Sequence, residues 1–335
     1  MPIKYVRFNY FEPQLVPADQ LLRAELMEDN EDVDNLRDIP HYRWDMAPML
    51  DYLMTNHEFT TDFALGDEYA EIEPRSYRYD ERGDTYDFQL SKLRESNIPS
   101  KKRFHTIKED ILLDQDEFIG EFVSILYDNH LGAVALQSNL YGLSVKQTEI
   151  FLTNVRADFL AAIGEEEGDT PMHVKLAPLV DTLQLERAAQ ADYYKKIRIK
   201  GSDVMGTALL TGDNLLSEAS EMLDRVNGVN FDITLSLGRV ERTASLDNDA
   251  VRQVVEMFEE LPVRAKPKIE ITAMQNEEAQ TETINLLEPR MTDRISVNVA
   301  PRTTIAHEHL TDEFREQAFN HRRNDIMRVL RPVQG

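Results

Sequence analysis

Phe118–Gln137 reads FIGEFVSILYDNHLGAVALQ, two apolar runs of strand type joined by the turn residues Asp128, Asn129 and His130. Turn chemistry between two such runs predicts a β-hairpin. Beyond it, Gly142 ends the extended chain, and Ser144 stands three residues before Gln147, the spacing of a capping box. A helix is therefore predicted from Ser144 to about Ile163, with Ile150, Phe151, Val155, Phe159 and Leu160 on one stripe. The polar run GEEEGDT (Gly164–Thr170) punctuates its end and predicts a domain boundary there.

Upstream, Ile3–Phe11 alternates, with Val6, Phe8 and Tyr10 on one face and Tyr5, Arg7 and Asn9 on the other, which predicts a half-buried strand. A helical stretch from about Asp19, carrying Leu21, Leu22, Leu26 and Met27, dissolves into the acid-rich EDNEDVDNLRD, a solvated face or loop. A second helix is expected over Asp45–Asn56, with Asp45 as cap and Met46, Met49, Leu50, Leu53 and Met54 as its core stripe. Tyr69–Gly83 reads as turn-like, TYDFQLSKLRE as a strand, and SNIPSKKR (Ser96–Arg103) as an exposed connection.

Downstream come the alternating strands HVKLAPL, YYKKIRIK, FDITLSLGR, KIEITAM and RISVNVA, with helices expected at about Gly212–Val226 and Asp247–Phe258. A long helix is predicted over Thr311–Leu330, capped by Thr311, with acids in its first turns and Arg328 and Arg331 at its end. The fold class is α+β: a mixed N-terminal region (1–116), the hairpin plus helix (117–168), and a largely antiparallel sheet with packed helices and a long C-terminal helix (169–335).

Composition removes several functions. The chain has 335 residues, 41% hydrophobic and 29% charged, so a folded core is expected. Cysteine is absent, which excludes disulfides, thiolate metal sites and a Cys nucleophile. The net charge of −24, from 61 acids against 37 bases, opposes indiscriminate attraction to phosphate polymers, so nucleic-acid binding would need a locally basic face. No apolar run reaches membrane-spanning length and the start lacks a signal-peptide pattern, so a cytoplasmic location is expected.

Local catalytic motifs are missing as well: there is no phosphate loop, no dinucleotide glycine pattern and no G-x-S-x-G elbow, and no Lys follows an acid by two positions. His307 and His309, with Glu308 between them and His321 downstream, could hold a divalent ion, but an H-x-H ahead of a helix also reads as solvated or capping. No metal or cofactor is assigned.

The basic strand Tyr193–Lys200 carries the functional expectation. It places four cations, Lys195, Lys196, Arg198 and Lys200, within six residues. Lys196, Arg198 and Lys200 share a face at a spacing of about 7 Å, close to that of successive phosphates, and Tyr194 is expected to join them. The same pattern also describes an edge strand guarded by lysines, or a face neutralised by acids of another element. Arg239, Arg242, Arg264, Lys266 and Lys268 could extend the patch, as could Arg290, Arg294, Arg302, Arg322 and Arg323.

From about Glu117 to Leu330 the order of these elements resembles the RexA-type phage-exclusion proteins and, more loosely, the KwaB component of Kiwa defence. The likeness lies in the hairpin FVSILYDNHLGAVALQ, the turn Gly142–Ser144, the helix with TEIFLTNV, the VKLAPL strand, the basic YYKKIRIK strand, the PKIEITA strand and an Arg-containing terminal helix. That resemblance implies a cytoplasmic, homodimeric DNA-binding sensor of a phage protein or protein–DNA complex, signalling to a membrane partner and performing no chemistry. It would place the DNA-contacting surface on the basic strand and the later cations; the strong acidity departs from the pattern. Two alternatives stand beside it: a protein-interaction subunit without nucleic-acid contact, and an effector enzyme with a dispersed site near Asp128, His130, Gln137 and Asn139.

Overall fold

The structure is a computed structural model that describes residues 2–19, 41–165, 168, 170–181, 183–202, 230–238, 240–260, 268–279, 281–286 and 290–330. The chain divides into two units, Met1–Leu179 with Met291–Gly335, and Val180–Arg290. The first unit carries β1 (Ile3–Pro17), β2 (Tyr42–Arg43), α1 (Ala47–Thr55), β3 (Phe63–Leu65), β4 (Glu68–Ile72), β5 (Arg78–Asp80), β6 (Thr85–Arg94), β7 (Ser100–Lys101), β8 (Glu109–Asp110), β9 (Ile119–Asp128), β10 (Ala133–Ser138), α2 (Val145–Ala162) and β11 (Met172–Pro178). The second is built from α3 (Leu183–Gln190), β12 (Tyr193–Ser202), β13 (Asn230–Ser236), α4 (Asn248–Glu260), β14 (Lys268–Met274) and β15 (Glu282–Asn285). The chain then returns to the first unit as β16 (Thr292–Asn298), α5 (His307–Phe314), a π-helical turn (Arg315–Phe319) and α6 (Asn320–Leu330).

The larger sheet runs β11-β1-β10-β9-β6-β4-β3, with β16 and β2 also on β1 and β5 on β6, and every pairing is antiparallel. The class is therefore α+β with largely antiparallel sheet and a long C-terminal helix. β11 and β16 follow one another along the same edge of β1. Tyr10 joins them: its carbonyl accepts from Leu179 N at 2.9 Å, its N–H donates to Met291 O at 3.1 Å, and Met291 N donates to Leu179 O at 2.7 Å. The second unit is thus an insert between two halves of one edge. This division replaces the three expected segments. The 116/117 boundary separates β6 from β9, which pair along ten residues, Thr85↔Asp128 to Arg94↔Ile119. The 168/169 boundary falls in the connection from α2 to β11, which both belong to the first unit.

Both faces of this sheet are buried, which is why the hairpin strands are apolar at odd and even positions alike. Phe88, Val123, Ile125, Tyr127, Val134 and Leu136 meet α1 and α2 through Met49, Leu50, Leu53, Phe151, Leu152 and Val155. On the opposite face Val6, Phe8, Tyr10, Leu126 and Ala135 meet the C-terminal helix through Leu310, Phe314, Phe319 and Ile326. Phe8 stacks on Phe314 with ring centroids 3.8 Å apart. Burying each such side chain contributes about 1.5–3 kcal/mol.

The hairpin forms in the register Ala133↔Asp128 to Leu136↔Ile125. The capping box is present, with Ser144 Oγ accepting from Gln147 N and the Gln147 side chain accepting from Ser144 N. Gly142 ahead of it has a steric reason, since a Cβ there would lie 2.6 Å from Val123 Cγ1. The Asp45 carboxylate accepts from Ala47 N at 2.9 Å, but the N-cap position itself falls one residue later, at Met46, whose side chain makes no capping bond.

Two local readings change. Tyr69–Gly83 contains most of β4 and all of β5, whose Ala70 and Ile72 point into the core. The C-terminal helix starts at His307, four residues before Thr311, because Ala306 is extended and Thr311 is buried, its hydroxyl donating back to the His307 and Glu308 carbonyls. The helices expected from Asp19 and over Gly212–Val226 lie outside the described residues, apart from the helical Ala18–Asp19.

Candidate nucleic-acid interface

The insert folds its own antiparallel sheet, in the order β13-β12-β14-β15. One face is apolar: Ile197, Ile199, Ile269, Ile271 and Ile284 pack with Val251, Val254, Val255 and Phe258 of α4. Strand alternation then sends Lys196, Arg198 and Lys200 to the other face. Their cross-strand neighbours there are Ser236, Thr234 and Asp232 on β13, and Thr272, Glu270 and Lys268 on β14.

Tyr194 does not join that face. The β12–β14 register shifts between Tyr194 and Lys196, so Lys195 is an extra, bulged residue and the strand changes parity there. Tyr194 is buried in the core, and its hydroxyl donates to Ala188 O at 2.6 Å. The bulge also redirects Lys195, whose ammonium donates to the carbonyls of Arg242 and Ala244. Arg242 in turn donates to Ala279 O at 3.0 Å. These two cations fasten a turn and are withdrawn from the row.

The remaining charges are partly compensated. Arg198 grips Asp232 through two hydrogen bonds of 2.9 and 2.7 Å, and Lys200 reaches the same carboxylate at 3.2 Å. The hydrogen bond from Arg198, followed by that from Lys200, holds the Asp232 carboxyl well below the usual carboxylate range. Lys268 lies 3.5 Å from Glu270. Lys196 has hydroxyl neighbours and, among the described residues, no carboxylate partner. Among the described residues of these rungs, four cations against two acids leave a net charge of plus two. Arg239, Arg264 and Lys266 lie outside the described residues.

The other basic residues divide between the two units. Arg290 belongs to the insert, at its bridge with Val180. Arg294, Arg302, Arg322 and Arg323 belong to the first unit. There Arg322 pairs with Asp293 at 2.7 Å and Asp325 at 3.3 Å, and Arg323 with Asp128 at 2.9 Å, while Arg294 lies over the Tyr5 ring.

Catalytic readings find no accessible constellation among the described residues. His307 Nδ1 is 2.9 Å from Ser124 Oγ and its Nε2 is 3.0 Å from Asp87 Oδ1, an order of groups that resembles a nucleophile, a base and an acid. Ser124, His307 and Asp87 are 0%, 9% and 1% exposed, so no substrate can reach the hydroxyl. Asp87 is also engaged by Arg315 and, at 3.2 Å, by Arg78. Burial raises its pKa, but His307, Arg315 and Arg78 outweigh that and hold the carboxyl below its usual range. His309 is exposed where His307 is buried, so the pair does not converge, and no metal-binding cluster is present among the described residues.

The hairpin residues serve the hairpin. Asp128 accepts from Leu131 N, Gln137 from Ser124 N, and Asn139 donates to Phe122 O. A cavity of about 640 Å³ borders α1 and β4, where burial, Glu73 and Asp62 push the Glu71 carboxyl up, but it gathers none of these residues.

Sequence reasoning passed over a second basic segment. Lys101, Lys102, Arg103 and Lys108 fall within eight residues, against four cations within six on the basic strand, and Phe104 and Ile107 lie among them. That interleaving was the available signal.

Among curated proteins no match is found. A family model matches residues 1–325, nearly the whole chain, and its description is a family of unknown function. The chain therefore belongs to the DUF6731 family.

Proposed function

We propose that this chain is a non-enzymatic sensor of an anti-phage system that binds DNA, or a phage protein–DNA complex, through the open face of the insert's sheet. The observation that carries the DNA contact is that the described rungs from Lys196 to Lys200 on this face are polar and net positive in a chain of net charge −24. A homodimeric state and signalling to a membrane partner rest on the RexA-type resemblance alone; a cytoplasmic location rests on that resemblance and on the sequence pattern, and no helix among the described residues is long and apolar enough to cross a membrane.

In this reading Lys196, between Ser236 and Thr272, supplies a cation flanked by hydroxyl donors, a combination suited to phosphate oxygens. Arg198 and Lys200 share one carboxylate, so phosphate competes with Asp232 for them. Binding is then sequence-independent, modest and steeply salt-dependent. The acidic remainder confines the contact to this face.

The test is anisotropy with a short labelled duplex at about 50 and 200 mM salt. Changing Lys196, Arg198 and Lys200 to Glu abolishes binding, and Asp232→Asn tightens it. No binding by the unmodified protein, or equal binding by the triple variant, removes the DNA contact. The compensation of Arg198, Lys200 and Lys268 by Asp232 and Glu270 favours one second reading, a mixed-charge surface for a protein partner. Pull-down from infected cells that is lost in the triple variant, without duplex binding, would select it.

A further inference from the structure

Between β6 and β9 the chain forms a hairpin arm in which every residue from Pro99 to Asp110 is exposed. A two-rung ladder, Ser100↔Asp110 and Lys101↔Glu109, closes its base. A tight turn closes its tip: Thr106 N donates to Arg103 O at 3.3 Å, and His105 adopts the left-handed conformation at φ 62°. That turn sets Phe104 at the apex with Ile107 just behind it, 95% and 86% exposed. Lys101, Lys102, Arg103 and Lys108 flank them with no acid in residues 101–108, and Glu109 and Asp110 follow at the base.

From the tip inward the arm is apolar, then cationic, then acidic. We infer that it docks on an anionic lipid surface, Phe104 and Ile107 entering the acyl boundary and Lys102, Arg103 and Lys108 meeting headgroup phosphates, while Lys101 pairs with Glu109 at 3.7 Å on the base rung. Bulky apolar side chains at such exposure mark an interaction site, and this layering repeats that of a bilayer leaflet, hydrocarbon beneath phosphate beneath water. A duplex takes an apolar wedge between two base steps, which suits a single ring better than Phe104 and Ile107 on either side of a turn. Charge complementarity is local: the acidic remainder repels the same surface, and screening over about 8 Å at physiological salt leaves the tip as the contact. This inference goes beyond the sensor reading and does not depend on it.

Co-sedimentation of the full chain with vesicles of phosphatidylcholine, with and without phosphatidylglycerol, tests it. Binding is expected to be at least about 25-fold stronger to the anionic vesicles, since each Lys or Arg near the surface is worth about fivefold. Lys102→Gln with Arg103→Gln weakens it by about 25-fold. Phe104→Ser with Ile107→Ser weakens it comparably while leaving thermal unfolding and duplex affinity unchanged. Absence of anionic-vesicle binding by the unmodified protein overturns the inference. So does unchanged vesicle binding by the Phe104/Ile107 variant, or loss of duplex binding in that variant, which would make the arm a nucleic-acid wedge.

Discussion

Asp87 in the first unit and Asp232 in the insert are each held between two cations, and burial makes them different devices. Asp87 lies under the C-terminal helix, where Arg78 and Arg315 reach it from β5 and the π-helical turn and His307 from α5. Arg78 also donates to Thr311 and Asp312, so the cluster bolts the helix to β5 and β6. Asp232 makes equally good hydrogen bonds on an open sheet face, where water and salt compete with them. A carboxylate between two cations is thus a structural fastener in one place and an exchangeable counter-ion in the other.

The contrast breaks most sharply at Asp87. Asp87→Ala leaves Arg315, Arg78 and His307 without their carboxylate and costs about 3–5 kcal/mol of stability, measurable by urea unfolding. The pH dependence has a definite sign. Asp87 titrates lower in the folded chain than in the unfolded one, so its contribution is complete above the ordinary carboxylate range and is lost as pH falls towards the depressed value. Asp87→Asn should therefore flatten the acid limb of a stability–pH curve.

Ser124→Ala, on the same network, removes the partner of His307 Nδ1 and costs about 1–3 kcal/mol in the same experiment. A smaller effect is expected at Gln317. Its amide accepts from Ser296 N at 3.0 Å and donates to Ser296 O at 2.9 Å, covering the outer edge of β16 as a neighbouring strand would. Gln317→Ala costs about 1 kcal/mol and exposes that edge, so self-association should appear in sedimentation velocity. At the far end, Asp232→Asn leaves the melting temperature unchanged, and its signature is tighter duplex binding. A large loss of stability there would erase the distinction between the two carboxylates.

Much of the candidate site was legible along the chain and its consequences were not. The alternation in YYKKIRIK places Lys196, Arg198 and Lys200 on one face. The same alternation puts Tyr194 with them, and the bulge at Lys195 puts it in the core. A bulge depends on the partner strand, which lies about 75 residues away in β14. The Asp232 counter-ion follows equally from pairing, because Lys200 sits opposite it only once β12 and β13 are in register. The Asp87 cluster was invisible for the same reason: Tyr69–Gly83 reads as a turn, yet it contains β5 with Arg78, which meets Thr311 and Asp312 more than 230 residues on.

By itself the amino-acid sequence determined the local elements of this protein: the 118–137 hairpin, the Ser144 capping box, the alternating β1, and the strands β12, β14 and β16. Each records its own solvent pattern or cap within a few residues. The tertiary structure decided what those elements meet. It interrupted one edge of β1 between Leu179 and Met291 to admit the insert, buried both faces of the larger sheet, neutralised part of the basic row and left the 99–110 arm in water. These outcomes are set by hydrogen bonds and packing between residues far apart in the chain, and no periodicity within a single segment encodes which distant partner wins.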